Sequence, residues 1–93
     1  MDIGGVIGAI VLHTPDCLAG QEIEIWPEGG TTPTTHAVVR PRLVRNHLSF
    51  AAVFPAVRAG DYTLRSARDP EATPRSLAVK GGEVTDADWY PAR

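Results

Sequence analysis

The stretch from His47 to Arg65, HLSFAAVFPAVRAGDYTLR, constrains the fold of this chain more than any other. Apolar residues occupy every second position from 48 to 54, and the alternation resumes at Tyr62 after a connection that contains Pro55 and Gly60. A period of two indicates an extended chain with one buried face. We therefore predict two strands whose large apolar side chains converge on an interior between two sheets: Phe50, Phe54, Tyr62 and Leu64.

The segments before this stretch predict further strands and no helix. Val6 to Leu12 is apolar on both sides, so it is expected to be either a central strand or a strand covered by another part of the chain. His36 to Leu43 predicts one strand with Ala37, Val39 and Leu43 directed inward. Pro41 cannot donate a ladder hydrogen bond, so this strand is expected at a sheet edge or with a bulge.

The C-terminal part predicts a closing pair of strands. Gly81 and Gly82 favour a hairpin turn between segments 75–79 and 84–89. Val84 and Trp89 have opposite parity, so only one of them faces inward unless a bulge intervenes, and we expect Trp89 to pack over the end of the core. The whole pattern predicts an all-β sandwich of about seven strands in a single domain over residues 1–93.

Three segments of the chain, taken together, are similar to a known family. They are LAGQEIEI from Leu18 to Ile25, AVFPAVRAGDYTLR from Ala52 to Arg65, and LAVKGGEVTDADW from Leu77 to Trp89. In this order they resemble the motifs of carboxypeptidase regulatory-like domains, which are prealbumin-like (transthyretin-like) sandwiches, over roughly residues 5 to 90. The resemblance implies a Greek-key sandwich of about seven strands. Its motifs are turn glycines, a strand tyrosine and alternating apolar residues, which carry no activity.

Length and composition fit a globular chain. The protein has 93 residues, of which 43% are hydrophobic and 22% charged, and this suffices for one two-sheet core. No basic residue precedes Val6, and the apolar run that follows is too short to span a bilayer. We therefore expect a cytoplasmic protein without a signal peptide, a transmembrane segment or a membrane partner. Cys17 is the single cysteine, which excludes an internal disulfide.

Charge is distributed unevenly along the chain, although the net charge is only −2. Residues 1–39 contain five acidic residues and no Lys or Arg, whereas residues 40–80 contain eight basic and three acidic residues. This segregation predicts either complementary surfaces or strands that neutralise each other within one molecule. Nucleic acid is not a predicted partner, because the net charge is negative and no aromatic residue is interleaved with the arginines.

A basic stripe is the first candidate site. Arg40, Arg42, Arg45 and His47 are expected to point outward near one hairpin tip, where guanidinium groups can bind carboxylates, phosphates or an acidic protein surface. The alternative is an edge strand that its charges protect from pairing. Trp26 is the second candidate, as a protein-binding or sugar-stacking indole at a strand end; the alternative is an indole that caps the core.

Histidines and hydroxyl residues give weaker catalytic or metal hypotheses. His36 and His47 are predicted on facing strands of one hairpin, about 20 Å apart at ~3.3 Å per residue, so they cannot share an ion. His13 joins either of them only through tertiary placement. No serine or threonine lies in a nucleophile motif. The 5-hydroxyisourate hydrolases of related fold end on a YRGS-like tetrapeptide, whereas this chain ends on DWYPAR, so the resemblance does not imply that activity.

These observations predict a noncatalytic binding or assembly module without a cofactor or a metal. The expected partner is another protein or a second copy of the chain, whose Glu22 and Glu24 would meet the basic stripe. Two alternatives stay open. One is a small metal-binding protein or hydrolase that uses surface histidines, and the other is a carbohydrate-binding module that uses Trp26.

Overall fold

The computed structural model describes residues 4–68 and 75–89, so the predicted domain of residues 1–93 extends beyond the described residues. Their regular structure is almost entirely β. The strands are β1 (Ile7–Thr14), β2 (Glu22–Pro27), β3 (Thr35–Val38), β4 (Arg40–Val44), β5 (His47–Arg58), β6 (Gly60–Ser66), β7 (Arg75–Val79) and β8 (Val84–Asp88). One short 3-10 helix, Asp16–Leu18, follows β1. No helix formed by the described residues is long and apolar enough to cross a membrane.

The strands form two four-stranded sheets. Sheet A has the order β4-β5-β1-β8, and sheet B has the order β3-β2-β6-β7. The β1–β8 pair is parallel, and the other pairs are antiparallel. The facing sides of the sheets bury a single cluster, which includes Tyr62 and Trp89 and whose largest fully buried members are Phe54, Ile10, Leu12, Ile23, Ile25 and Leu64. The predicted all-β fold is confirmed, with eight described strands instead of about seven.

Strand β1 is the centre of sheet A. It pairs with β5 on one side and with β8 on the other. Its residues Ala9, Ile10, Val11 and Leu12 are all buried. Of the two placements predicted for a strand apolar on both faces, the central one is therefore confirmed.

The central stretch is extended, as predicted, but its two strands belong to different sheets. Phe54, Tyr62 and Leu64 are buried in the shared core, and Phe50 packs against it partly buried. The short connection at Ala59 carries the chain from β5 in sheet A to β6 in sheet B. A short link is sufficient because the end of β5 and the start of β6 lie at the same edge of the sandwich, one in each sheet.

Pro55 does not end the strand. Gly8 lies opposite Val57 and Ile10 lies opposite Phe54, so Pro55 and Ala56 together oppose only Ala9. This is a β-bulge, in which a proline costs no ladder hydrogen bond. The extra residue reverses the parity of the strand, and Val57 is buried as a result.

The single strand predicted from His36 to Leu43 is wrong. It divides at Val39 into β3, which pairs with β2, and β4, which pairs with β5. Val39 is buried, as predicted, and its N–H donates to the Gln21 carbonyl at 2.9 Å where the chain crosses between the sheets. Leu43 was predicted inward but is 69% exposed. The reason is that β1 pairs with β5 only as far as Phe50, so β4 runs beyond the end of the core.

The hairpin predicted at Gly81 and Gly82 is also wrong. Strand β7 pairs with β6 in sheet B, while β8 pairs with β1 in sheet A, so this turn joins the two sheets. Trp89 is buried against the core, as predicted, and Val84 is the residue of that pair that is exposed.

Tyr62 fastens the crossover between β5 and β6. Its hydroxyl donates a hydrogen bond of 2.6 Å to the Arg58 carbonyl. We expect Tyr62→Phe to lower the free energy of unfolding by about 1 kcal/mol, because the bond is lost and no apolar volume is removed. Equilibrium urea unfolding measures this change. Thr63→Val is the control, since its exposed contact to Glu28 is 3.5 Å long and its loss should change stability by less than about 0.5 kcal/mol. Equal losses of stability in the two variants would contradict a stabilising role for the Tyr62–Arg58 hydrogen bond.

Candidate functional site

The predicted basic stripe lies on a hairpin that projects beyond the end of β1. Arg40 lies opposite Ala51, Arg42 opposite Ser49, and Val44 opposite His47. Directly opposite residues share one face of a sheet. Arg40, Arg42 and His47 therefore occupy the same face, which is the outer face of sheet A. All five residues of β4 are exposed.

Arg45 and Asn46 form the two-residue tip of this hairpin. Their φ angles are 52° and 62°, so both adopt the left-handed conformation of a type I′ turn. The asparagine is a residue type that such turns favour. Arginine is not, because it lacks the short polar side chain by which asparagine offsets the steric cost of its Cβ, and that cost is about 1 kcal/mol or more in this conformation. The fold therefore holds Arg45 at the most projecting point of the hairpin at a cost in stability.

The arginines of the hairpin have no ionic partner among the described residues. The ion pairs within that part of the chain join His13 to Asp86 at 2.9 Å and His36 to Glu22 at 3.4 Å. The charge segregation predicted either complementary surfaces or neutralisation by adjacent acidic strands. Within residues 4–68 and 75–89, no acidic side chain forms an ion pair with Arg40, Arg42 or Arg45, so close contacts there do not neutralise these arginines.

The opposite face of the hairpin is apolar. Leu43 lies directly opposite Leu48, and the two side chains are 69% and 57% exposed. Val44 is exposed as well, but it lies opposite His47 and therefore on the basic face. The hairpin thus presents guanidinium groups on one side and leucines on the other, and both are open to a partner.

Trp26 lies apart from the basic stripe, at the end of β2 in sheet B. Its side chain is half-buried on the outer face of that sheet, and its indole N–H donates to Glu24 at 3.2 Å. The guanidinium carbon of Arg65 lies 5.0 Å from the ring centroid, a cation–π contact. The indole therefore stacks with a cation of its own chain; it does not join the arginines of sheet A, and it does not belong to the buried core.

The three histidines lie in three different places. His13 is on β1, His36 is on β3 in sheet B, and His47 begins β5 in sheet A. The prediction that His36 and His47 share a hairpin is wrong, because the chain changes sheet at Val39. The carboxylates beside His13 and His36 come from strands distant in sequence, so local spacing did not reveal them. Residues 4–68 and 75–89 contain no cluster of three or more His, Cys, Asp or Glu that could hold a metal ion.

A cleft lies where the chain passes from β3 to β4, and we call it the corner cleft. Its volume is about 480 Å³, within the range of small-ligand sites. Its walls are basic at His36, Arg40 and Arg42 and otherwise apolar. The remaining lining residues are Ala37, Val38, Pro41, Ala51 and Val53. The cleft thus combines two of the predicted arginines with a histidine from the other sheet, which Glu22 approaches at 3.4 Å, and no acidic residue is among the described residues that line it.

Comparison of the chain with protein-family models, with curated proteins and with solved structures found no match. Function is therefore inferred from the geometry of the described residues. That geometry brings together Arg40, Arg42, Arg45 and His47 of the predicted site and leaves Trp26 on the other sheet.

Replacing Arg45 with glycine tests whether the tip is strained. We expect Arg45→Gly to raise the free energy of unfolding by about 0.5–1 kcal/mol, because glycine adopts a positive φ without steric cost. The control is Arg42→Gly on the extended strand, which should lower stability by about the same amount. Both are measured by urea unfolding. A loss of stability in Arg45→Gly as large as that in Arg42→Gly would contradict the turn assignment.

Proposed function

We propose that the protein is a noncatalytic binding module that contacts an acidic protein surface through the β4–β5 hairpin. The observation that carries the proposal is the exposure of Arg40, Arg42 and Arg45 on a projecting hairpin without an ionic partner among the described residues. Guanidinium groups bind carboxylates in pairs of parallel hydrogen bonds and steer association with acidic surfaces.

Two further features of the hairpin support a protein partner. The exposed pair Leu43 and Leu48 supplies apolar area on the other face of the same hairpin, so a partner that encloses the hairpin would bury apolar surface as well as charge, as protein interfaces do. Arg45 occupies a backbone conformation in which glycine would be more stable. A residue kept at the tip against its conformational preference is consistent with a role in contact.

A separate protein is the better candidate than a second copy of the chain. Within the molecule Glu22 already pairs with His36, and Glu24 accepts the indole N–H of Trp26, so the acidic strand is partly occupied. Pro41 also removes a donor from β4, which limits pairing between two such edges. Sedimentation at low and high salt separates the two cases: dimers at low salt only would favour self-association.

We further propose the finer fold that the sequence resemblance implies, a Greek-key sandwich of the carboxypeptidase regulatory-like, prealbumin-like type. The described strands support it by their order, because β2 with β3, β4 with β5, and β6 with β7 fall alternately in sheet B and sheet A. Connections that cross between sheets in this way are usual in Greek-key sandwiches.

The carbohydrate alternative has less support. A sugar stacks on an open aromatic face, and one face of Trp26 is already covered by the Arg65 guanidinium. The hydrolase alternative has His13 beside Asp86 as its best feature. Of the residues that line the adjacent depression, His13, Thr14, Pro15 and Asp88, only Thr14 offers a hydroxyl, and this hydroxyl donates to the Pro15 carbonyl at 3.1 Å and not to His13.

Affinity capture from an extract of the source cells tests the proposed function. The wild-type protein is compared with an Arg42→Glu, Arg45→Glu double variant and with an Arg68→Glu, Lys80→Glu double variant, an equal charge change at exposed residues outside the hairpin. We expect one protein with an acidic surface to bind wild type and the Arg68→Glu, Lys80→Glu control in a salt-sensitive manner, and to bind the hairpin double variant at least about tenfold less. Equal binding to the hairpin double variant by the purified partner would refute the proposal.

A further inference from the structure

The edge of β5 is only partly covered by β4. Their pairing begins at Arg40, which lies opposite Ala51, because the preceding residue Val39 belongs to the crossover from sheet B. From Ala52 to Arg58, β5 therefore has β1 on one side and no strand of sheet A on the other. This leaves a gap in the sheet where β4 would have continued.

The register shows which backbone groups face this gap. A two-residue type I′ turn makes Val44 and His47 a hydrogen-bonded pair, and such pairs recur at every second residue, so Ala51 bonds to β4. By the same alternation the N–H and C=O of Val53 point away from β1 and into the gap. The pairing of β1 with β5 agrees with this direction. His13 lies opposite Ala51, but its carbonyl accepts a hydrogen bond from the Trp89 N–H at 2.8 Å and therefore points away from Ala51.

These backbone groups of Val53 open into the corner cleft. None of the hydrogen bonds that the described residues form outside the strand ladders involves Val53. Arg40 and Arg42 lie at the β4 end of the gap, and His36 and Val38 form the wall on the sheet B side. Among the described residues, the cleft thus contains a backbone donor and acceptor without a hydrogen-bond partner next to two guanidinium groups without an ionic partner, an arrangement by which a sheet edge accepts an extended peptide.

The shape and the charge of the gap determine which part of a peptide fits. A segment that lies along β5 cannot pass Arg40, because β4 occupies the line from there onward. A segment antiparallel to β5 would therefore end at Arg40 with its carboxyl terminus, and a parallel one would end there with its amino terminus. An ammonium group beside Arg40 and Arg42 is repelled, whereas a carboxylate is bound.

We propose that the corner cleft binds the free carboxyl terminus of an extended peptide from a protein partner. The peptide backbone pairs with Val53, and the terminal carboxylate binds Arg40 and Arg42. Pro55 has no N–H to offer at the next edge position, so recognition covers only the last few residues. This inference rests on the proposed function, since it specifies what part of the protein partner the arginines receive.

Fluorescence anisotropy with labelled peptides tests the site. The probes are hexapeptides with randomised last three residues and a free carboxylate, each compared with its C-terminal amide. We expect a subset of the acids to bind, and amidation to lower their affinity by about tenfold to a hundredfold because a charge-assisted contact is lost. N-methylation of the backbone amide that pairs with Val53 should lower it by about tenfold as well. Equal affinity of acid and amide, or no binding by any acid, would overturn the inference.

Matched variants separate this inference from the proposed function. Arg40→Gln should abolish the preference for the acid, whereas Arg58→Gln, an equal charge change at the other end of β5, should not alter it. Arg45→Gln should leave peptide binding intact, because Arg45 does not line the cleft, while it weakens capture of the acidic protein. Loss of peptide binding in Arg45→Gln but not in Arg40→Gln would exclude the cleft and leave the hairpin proposal standing.

Discussion

The variant Phe54→Ala is expected to lose about 3–5 kcal/mol of unfolding free energy, because deleting a fully buried aromatic ring forfeits its burial and leaves a cavity. Phe54 is 1% exposed and is the largest of the fully buried side chains. It projects from β5 into the layer shared by both sheets, so Ile10 and Leu64 cannot both close on the vacancy without moving their sheets. Equilibrium urea unfolding gives the value from the midpoint and the slope.

Two neighbours on the same strand are the controls for Phe54. Phe50 is only partly buried and should cost clearly less when truncated, and Leu48, at 57% exposed, should change stability by less than about 0.5 kcal/mol. Phe54→Leu, expected to lose a smaller amount, replaces the alanine variant if the latter fails to fold. If Leu48→Ala lowered the free energy of unfolding as much as Phe54→Ala, the assignment of Phe54 to the centre of the core would be contradicted.

Gly8→Ala is the second substitution with a large expected effect, about 3 kcal/mol of destabilisation. A Cβ at this buried position would overlap the carbonyl oxygen of Lys80 and approach that of Glu83 at 3.0 Å. The loop cannot easily retreat, because the Gly82 N–H donates to the Ile7 carbonyl and the Ala9 N–H donates to the Glu83 carbonyl. Thermal and urea unfolding measure the loss.

Gly82→Ala, in the same loop, is the control for Gly8→Ala. A Cβ there meets no atom within 4 Å, but the φ of 77° lies in the left-handed region, so only about 1 kcal/mol is expected. If Gly82→Ala proved as destabilising as Gly8→Ala, close approach between β1 and the loop would not be the cause.

The alternation of apolar and polar residues correctly predicted those features of the fold that depend on a single strand. The burial of Phe54, Tyr62 and Leu64 and the central place of β1 follow from a period of two and from apolar residues on both faces. The bulge at Pro55 was not predicted, since its position depends on β1. Likewise, residues 36–43 keep the same alternation through the crossover at Val39, so the sequence pattern contains no sign that the chain changes sheet except Pro41.

The candidate site shows the same division. Arg40 and Arg42 share a face because they are two residues apart on one strand, which the sequence predicted. The corner cleft also needs His36 and Val53, and these are brought there by the crossover and by the point at which β4 begins. Trp26 makes its cation–π contact with Arg65 on the neighbouring strand β6, and the register between β2 and β6 could not be deduced from residue spacing.

The parallel pairing of β1 with β8 has a consequence for how the chain folds. Residues 9–13 meet residues 84–88, so the strand made early acquires one of its two neighbours only when the last described strand emerges from the ribosome. Contacts between such remote segments slow folding, and they delay completion of sheet A until β8 has left the ribosome. In that interval the nascent chain carries an apolar strand with one bare edge, and this is the stage at which aggregation or chaperone capture would compete with the native fold.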